Sequence, residues 1–408
     1  MSYIRLFAEI RDMISTSDIT IAVPDLLRND ELSVTLRERF IEFKISANDE
    51  NIARFHLPRN VSFRPETCST SDFTCEDGLV FRVKNMKELF NKPLEVNWKK
   101  MQDEELQWLL TVDKLQLACT RCGHILTFPQ SIDRALPLPS DNWYEYFSEN
   151  AWCHKDCHSE KASKFKLTPS ANDCLVSDFF YLMDSGAVRP DGVRIEPLPS
   201  SNSPDPNSRA VLSSEILCFR CFTRVGFMFW EVNGEGESTE YFRIYKHAID
   251  VKSRNSALPR LLNGFLHLRN AESVFAHYFL HQSNAESNFK FVLASDDPQD
   301  KSNLFAVVWI MNPDSKVLIS SFIETDFPDQ ENDLVAENVV KLMYREKDYP
   351  SKEELTKTWL KEFSVTHLPL PVDLASALLA VLFQNTLSLP HSLRQSDDDF
   401  RVGFLRLC

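Results

Sequence analysis

The sequence predicts an α+β protein dominated by β structure and built in three successive parts. These are an N-terminal antiparallel β domain over 1–112, a β domain pinned by paired cysteines over 113–250, and a C-terminal α+β domain over 251–408. Three observations lead there. Short apolar runs separated by turn residues fill the first part, two Cys-x-x-Cys pairs (Cys119/Cys122 and Cys218/Cys221) lie in the second, and the third mixes strand-like runs with stretches at helical spacing. At 408 residues the chain is long for one hydrophobic core, and 43% apolar residues, with 30 Phe, can fill more than one.

In the first part, strands are expected at Ile19–Val23, Phe40–Lys44, Ala53–Leu57, Leu79–Val83 and Leu94–Trp98, where apolar and charged residues mix at short period. In the second, strand-forming residues flank each cysteine pair, as in Leu115-Gln-Leu-Ala before Cys119 and Glu215-Ile-Leu before Cys218, so each pair reads as a knuckle on a β-hairpin. Between them, the Pro, Ser and Asn of 196–208 form a loop that joins two strands. In the third part, Ala271–Leu280 carries apolar residues at 274, 275, 278 and 279, and Leu334–Tyr344 at 335, 339, 342 and 343; both predict helices. Leu374–Phe383 is apolar around most of its circumference and predicts a buried helix with Asp373 as its N-cap. Phe289–Leu293 reads as a strand, and Phe305–Met311 and Val317–Phe322 as a hairpin turning at Asn312-Pro-Asp-Ser-Lys.

A net charge of −14 offers no global attraction for nucleic acid or an anionic membrane, so neither is expected as a direct partner. No run of about 18 apolar residues spans a bilayer. The N-terminus is too charged for a signal peptide, which places the protein in the cytoplasm, the nucleus or both. There ten cysteines are not expected to form disulfides, which favours a metal reading of the clustered ones. Only nine glycines occur, and neither phosphate-cradling glycine motif, nor a G-x-S-x-G elbow, nor H-E-x-x-H is present.

The spacing of Cys119, Cys122, Cys218 and Cys221 suits one tetrahedral zinc held by four thiolates, able to contribute about 10–16 kcal/mol of apparent binding free energy. The alternative is two unrelated pairs of buried thiols. Cys153, His154, Cys157 and Cys174 offer a second zinc site or, alternatively, a buried thiol cluster, since adjacent residues such as 153 and 154 seldom reach one metal without a kinked backbone. His124 and His158 read as ordinary polar residues, and Cys68, Cys75 and Cys408 as bystanders. The order is not that of a RING domain, which needs another internal Cys-x-x-Cys, and Leu217 stands where a zinc deaminase has proline. Trp143, Tyr144, Tyr146 and Phe147 form either core packing or a docking patch, and Asp397-Asp-Asp399 either a solvated turn or a partner contact.

Several phrases occur together in a telling order: Cys119-Thr-Arg-Cys-Gly, Leu136-Pro-Leu-Pro-Ser, Asn142-Trp143, Trp152-Cys153-His154, Asn172-Asp-Cys174 and Cys218-Phe-Arg-Cys221. His367-Leu-Pro-Leu-Pro, Leu389-Pro-His-Ser-Leu-Arg and Phe404-Leu-Arg-Leu follow. This series resembles the HECT-like family of ubiquitin-conjugating-enzyme-binding ubiquitin ligases from about residue 113 onward. The paired knuckles also look like the zinc-pinned β-tent fold, an analogy of fold alone. The resemblance implies binding of a ubiquitin-conjugating enzyme and transfer of ubiquitin to a substrate through a HECT-like thioester. It also implies an alternative, a non-enzymatic adaptor or chaperone for the endonuclease that cleaves pre-mRNA 3′ ends. Thioester transfer needs an accessible nucleophilic cysteine, usually near the C-terminus, and none lies between Cys221 and the final residue, Cys408. With the two pairs on zinc, Cys153, Cys157 and Cys174 remain as candidates, with Cys68 and Cys75 behind them.

Overall fold

The computed structural model describes residues 3–11, 14–22, 32–45, 50–70, 78–86, 98–112, 115–129, 132–138, 168–197, 211–232, 238–252, 271–285, 287–297, 304–320, 323–324, 330–346, 359, 364–396 and 400–407. They fall into two compact units: Met1–Asn97 with Ala271–Asp296 and Lys301–Cys408, and Trp98–Asn270 with Asp297–Asp300. The expected boundaries at 112 and 250 are not the ones the strands draw. Phe7–Ile10 pair antiparallel with Lys316–Ile319, so the first and last parts of the chain share one sheet.

That sheet is organised around the strand Leu304–Ile319. On one edge it pairs with Lys290–Ser295 and, further along, with Tyr3–Arg11; on the other it pairs with Ala336–Glu346. From Tyr3–Arg11 the order continues through Thr16–Ala22 and Gly78–Asn85 to Phe63–Thr70. The expected hairpin is therefore one strand. Opposite Ala336–Glu346 the register passes from Ile310↔Leu342 to Asn312↔Lys341 to Ser315↔Val339, so each step gains one residue on the long strand. Two bulges absorb the Asn-Pro-Asp-Ser segment, and Pro313, which has no N–H for the ladder, falls within the second.

The helix expected over Leu334–Tyr344 is likewise a strand, Ala336–Glu346. Val340, Leu342 and Tyr344 are buried on one face, while Val339 and Met343 pack on the other with Phe7, Val317, Val402 and Phe404. With apolar residues on both faces, the alternation that marks a half-exposed strand is lost, and the remaining spacing imitates a helix. A smaller sheet, in the order Gln330–Asp333, Glu50–His56, Phe40–Ile45 and Leu32–Leu36, contributes Ile41, Phe43 and Phe55 to a core shared with Leu6, Ile19, Ile21, Phe81 and Leu318. The expected strands at 19–23, 40–44, 53–57 and 79–83 thus have counterparts here.

The helices Ala271–Ala285 and Val372–Ser388 follow the expected spacing. Asp373 does not cap the second of these. Pro371 occupies the cap with an extended backbone and no side-chain cap bond, and Asp373 lies in the first turn, where its charge suits the helix dipole. Asn385 donates to the Phe404 carbonyl oxygen at 2.7 Å and to Glu272 at 2.8 Å, and Arg406 donates to Glu272, Asn385 and Glu337. This network seats the strand Arg401–Arg406 against both helices.

In the other unit the sheet runs Val193–Pro197, Val211–Cys218, Arg224–Val232, Ser238–Tyr245, Phe180–Asp184, Asp173–Val176 and Arg134–Pro137, with only the last neighbouring pair parallel. Gly226 sits where the sheet leaves no room for a side chain: a Cβ there would lie 1.8 Å from the Arg243 carbonyl oxygen. Gln116–Cys119 pairs separately with Ile249–Lys252. The helix Trp98–Thr111 packs on this unit where a strand was expected at Leu94–Trp98; Trp98 begins the helix, and 94–97 lie outside the described residues. Its buried face carries Trp98, Glu105, Trp108 and Leu109. A carboxylate in the stripe interrupts the apolar period that would have announced the helix. No helix among the described residues is long and apolar enough to cross a membrane.

Glu105 and Lys246 are both wholly enclosed, and Lys246 Nζ donates to Glu105 Oε2 at 2.7 Å. Tyr181 donates its O–H to Glu105 Oε1, and the Lys246 ammonium lies 5.0 Å from the centre of the Tyr181 ring. Burial, reinforced by the Glu105 carboxylate, holds the Tyr181 hydroxyl well above its ordinary pKa, so it remains the proton donor. The triad is neutral overall and joins helix to sheet. Replacing Lys246 with Ala strands a buried carboxylate and is expected to cost about 3–5 kcal/mol in a denaturant titration, whereas the triple change Glu105→Leu, Lys246→Met and Tyr181→Phe, which removes all three polar partners together, should come within about 1 kcal/mol of the original. Equal loss in both would show that the pair is not the joint described.

Candidate metal centre

The two knuckles have the same local chemistry. In the first, the strand Gln116–Cys119 ends at a cysteine whose N–H donates to the His124 carbonyl oxygen at 2.8 Å, while Gly123 N–H donates back to the Cys119 carbonyl at 2.8 Å. In the second, Cys218 N–H donates to the Thr223 carbonyl at 2.8 Å and Phe222 N–H donates to the Cys218 carbonyl at 2.9 Å. Each turn closes through a residue in the left-handed region, Gly123 at φ +69° and Phe222 at φ +57°. The first intervening residue of each turn donates its N–H outside the turn, Thr120 to the Ala248 carbonyl and Phe219 to the Gly192 carbonyl, both at 3.1 Å, and the turn presents both flanking sulfurs on one side.

The knuckles are braced against each other. Gly192, just before the strand Val193–Pro197, accepts the Phe219 N–H of the second knuckle at 3.1 Å, and a Cβ on it would meet the Ile125 and Leu126 carbonyl oxygens at 2.8 Å, so this backbone is wedged between the second knuckle and the return of the first. Arg121 donates across to Thr223 Oγ1 at 3.4 Å, and His124 Nε2 lies 3.0 Å from the Asp191 carbonyl oxygen. Arg189 grips the Asp191 carboxylate and holds it below the usual carboxylate range.

This bracing brings Cys119, Cys122, Cys218 and Cys221 together, with all four sulfurs within 4.8 Å of one another. The Cys119–Cys221 and Cys122–Cys218 separations are 3.6 Å. A tetrahedral ion with metal–sulfur bonds of about 2.3 Å spaces its ligands about 3.8 Å apart, so the residues fit a four-thiolate metal site. Burial pushes the Cys119 thiol up to about 12 and raises Cys218 as well. For Cys221, burial is outweighed by hydrogen bonding with Thr223 and the neighbouring thiols, which brings it down to about 6. Cys221 is thus ready to ionise while Cys119 and Cys218 resist, and a divalent cation is what makes four adjacent thiolates compatible.

Cys174 stands apart from this group, wholly buried in the strand Asp173–Val176. Burial and then the Glu105 carboxylate push its thiol strongly upward. It is a core thiol beside the buried triad. Cys153, His154 and Cys157, like Cys75, Cys408, His158 and the aromatics at 143–147, lie outside the described residues. Cys68 is half-buried in the other unit, and burial raises its thiol too. His124, expected to be an ordinary polar residue, is one of the braces. The bracing positions Gly192, Arg121 and Thr223 carry no motif of their own; only the matched Gly123 and Phe222 positions after each pair could have marked the second turn.

Over residues 9–402 the chain matches the family described as HECT-like Ubiquitin-conjugating enzyme (E2)-binding. It is 26% identical to a Mus musculus protein named as an E3 ubiquitin-protein ligase over 413 residues, covering 99% of this chain and 98% of that one. The Homo sapiens protein of the same name is 26% identical over 415 residues, with the same coverage, and the Bos taurus protein is 28% identical over 363 residues, 86% of each chain. Changing Cys122 or Cys218 to Ser is expected to abolish metal binding at this site and, with it, about 10 kcal/mol or more of apparent binding free energy, enough to unfold the unit. Metal analysis combined with hydrogen exchange over 98–252 checks this; a metal-free protein with undiminished protection there would refute a metal-dependent unit.

Proposed function

The chain belongs to the HECT-like ubiquitin-conjugating-enzyme (E2)-binding family, and from that premise we propose that it holds a ubiquitin-charged conjugating enzyme beside a substrate and promotes transfer by proximity. A zinc ion in the four-cysteine site is the structural centre of this reading. Four thiolates close the coordination shell and leave no position for a substrate, and tetrahedral sulfur coordination selects zinc over harder divalent ions. The cytoplasm or nucleus, where thiols stay reduced, is where such a site persists.

The observation that carries the reading is the condition of the cysteines. Among the described residues, four converge on a metal site, Cys174 is sealed in a core with its thiol held protonated, and Cys68 is half-buried with its thiol raised. Cys221, whose thiol is lowered, is one of the four sulfurs committed to the metal site, so none of these is a free, exposed thiolate of the kind a thioester relay uses. Bringing a charged enzyme and an acceptor lysine together requires no nucleophile on this chain, because orientation alone supplies a large effective molarity.

A non-reducing assay with charged conjugating enzymes tests this. Zinc-loaded protein is expected to speed ubiquitin discharge to lysine by about tenfold or more with at least one of them, without forming a thiol-sensitive adduct of its own. Cys174→Ser should leave that rate unchanged. An adduct lost on changing Cys153, Cys157 or Cys174 to Ser, with zinc retained, would replace proximity by a covalent relay. No acceleration with any active conjugating enzyme would leave the adaptor role toward the 3′-end endonuclease.

A further inference from the structure

The second knuckle contains a feature that its metal site does not need. After the first cysteine pair the left-handed position is filled by Gly123, the residue type for which that conformation is free; after the second it is filled by Phe222 at φ +57°. A bulky aromatic there strains the backbone, and such strain is kept where it is used. Packing does not explain it. Phe222 is 57% exposed and Phe219, in the same turn, is 55% exposed. The Arg194 guanidinium lies 5.7 Å from the Phe222 ring centre, and Arg194 is itself exposed and paired with Glu196.

The surroundings are those of a recognition surface. Arg121 and Arg220, both exposed, occupy corresponding positions between the cysteines of the two turns. Aromatic and arginine side chains are the types that carry most binding energy at protein interfaces. The turn is held by its own hydrogen bonds, by Gly192 beneath Phe219, and by the cysteines at its base, so the rings are presented with little ordering left to do on binding. On a chain of net charge −14 this is a local arginine-bearing face. A partner carrying carboxylates around an apolar centre is repelled by the molecule as a whole and steered to this face.

We propose that Phe219 and Phe222, with Arg220, Arg121 and Arg194 around them, form the surface on which the ubiquitin-conjugating enzyme docks, through an apolar patch of that enzyme rimmed by carboxylates. The proposal rests on the family's conjugating-enzyme binding and adds the place and the chemistry. Single-stranded nucleic acid also stacks on aromatics beside arginines, but it carries a phosphate at every nucleotide along its length against the net charge of −14, whereas the carboxylates of a folded partner are confined to the rim that meets the arginines.

Phe222→Gly separates docking from folding, because glycine suits the left-handed position better than phenylalanine does. The full-length, zinc-loaded protein and its Phe222→Gly, Phe219→Ser and Arg220→Glu variants are titrated against a panel of ubiquitin-conjugating enzymes and, in parallel, a fluorescent oligouridine. Phe222→Gly is expected to keep its zinc and melt no lower than the original while binding the conjugating enzyme about tenfold or more weakly. Phe219→Ser should show a similar loss, and Arg220→Glu a loss that shrinks as salt is raised. Affinities of Phe222→Gly and Phe219→Ser within about twofold of the original would overturn the docking surface while leaving the family's binding intact. An original protein that binds no member of the panel would remove the underlying reading and the proposal with it. Phe222-dependent binding of oligouridine with unchanged enzyme affinity would overturn the proposal in favour of nucleic acid.

Discussion

Four sulfurs within 4.8 Å of one another are the constraint around which the cysteine-bearing unit is arranged. Left to themselves, buried thiols stay protonated and closely spaced thiolates repel, so neither state pulls two distant turns together strongly. A cation reverses this, because it is attracted to all four at once. The turns then need a rigid seat, and the chain supplies it with backbone: Gly192 beneath Phe219, the reciprocal N–H and carbonyl bonds within each knuckle, and the crossing contact from Arg121 to Thr223. Side-chain identity matters at the sulfurs; around them, close backbone approach does most of the positioning.

Elsewhere in the same unit, order comes from a buried charge pair. Glu105 and Lys246 are wholly enclosed and satisfied by each other and by Tyr181, an arrangement in which losing one partner costs more than removing the polar partners together. The other unit relies on a different device. Its long central strand, Leu304–Ile319, pairs with both the beginning and the end of the chain, and its bulges let a proline-containing segment remain in the ladder instead of ending it. Cores form on both faces of that sheet, so its inner strands are apolar on each side.

The metal site and the proposed ubiquitin transfer bear on the same residue type, cysteine. Thiolates bound to a closed four-coordinate ion are withdrawn from covalent chemistry, and a thiol sealed beside a carboxylate, as Cys174 is, is withdrawn by burial. What such a unit can offer a conjugating enzyme is geometry, namely rigid turns and the groups they display. Phe222 in place of a second turn glycine is where the display departs from the needs of the metal alone.

The cysteine spacing, the family phrases and the long apolar helices were legible in the sequence because each is local: two thiols on one turn, or a stripe along one helix. The grouping of residues into units was not. A strand's edge does not encode its partner, so nothing in Phe7–Ile10 points to Lys316–Ile319. The helix at 98–111 stayed hidden because its stripe contains a buried Glu, and the strand at 336–346 passed for a helix because both its faces are covered. Gly192 and Phe222 acquire meaning only once the two knuckles face each other. Residue order by itself determined which side chains can bind metal and where β structure begins. The tertiary structure decided which strands pair, which thiols are out of reach and which aromatic is left exposed, because those depend on neighbours far away in sequence.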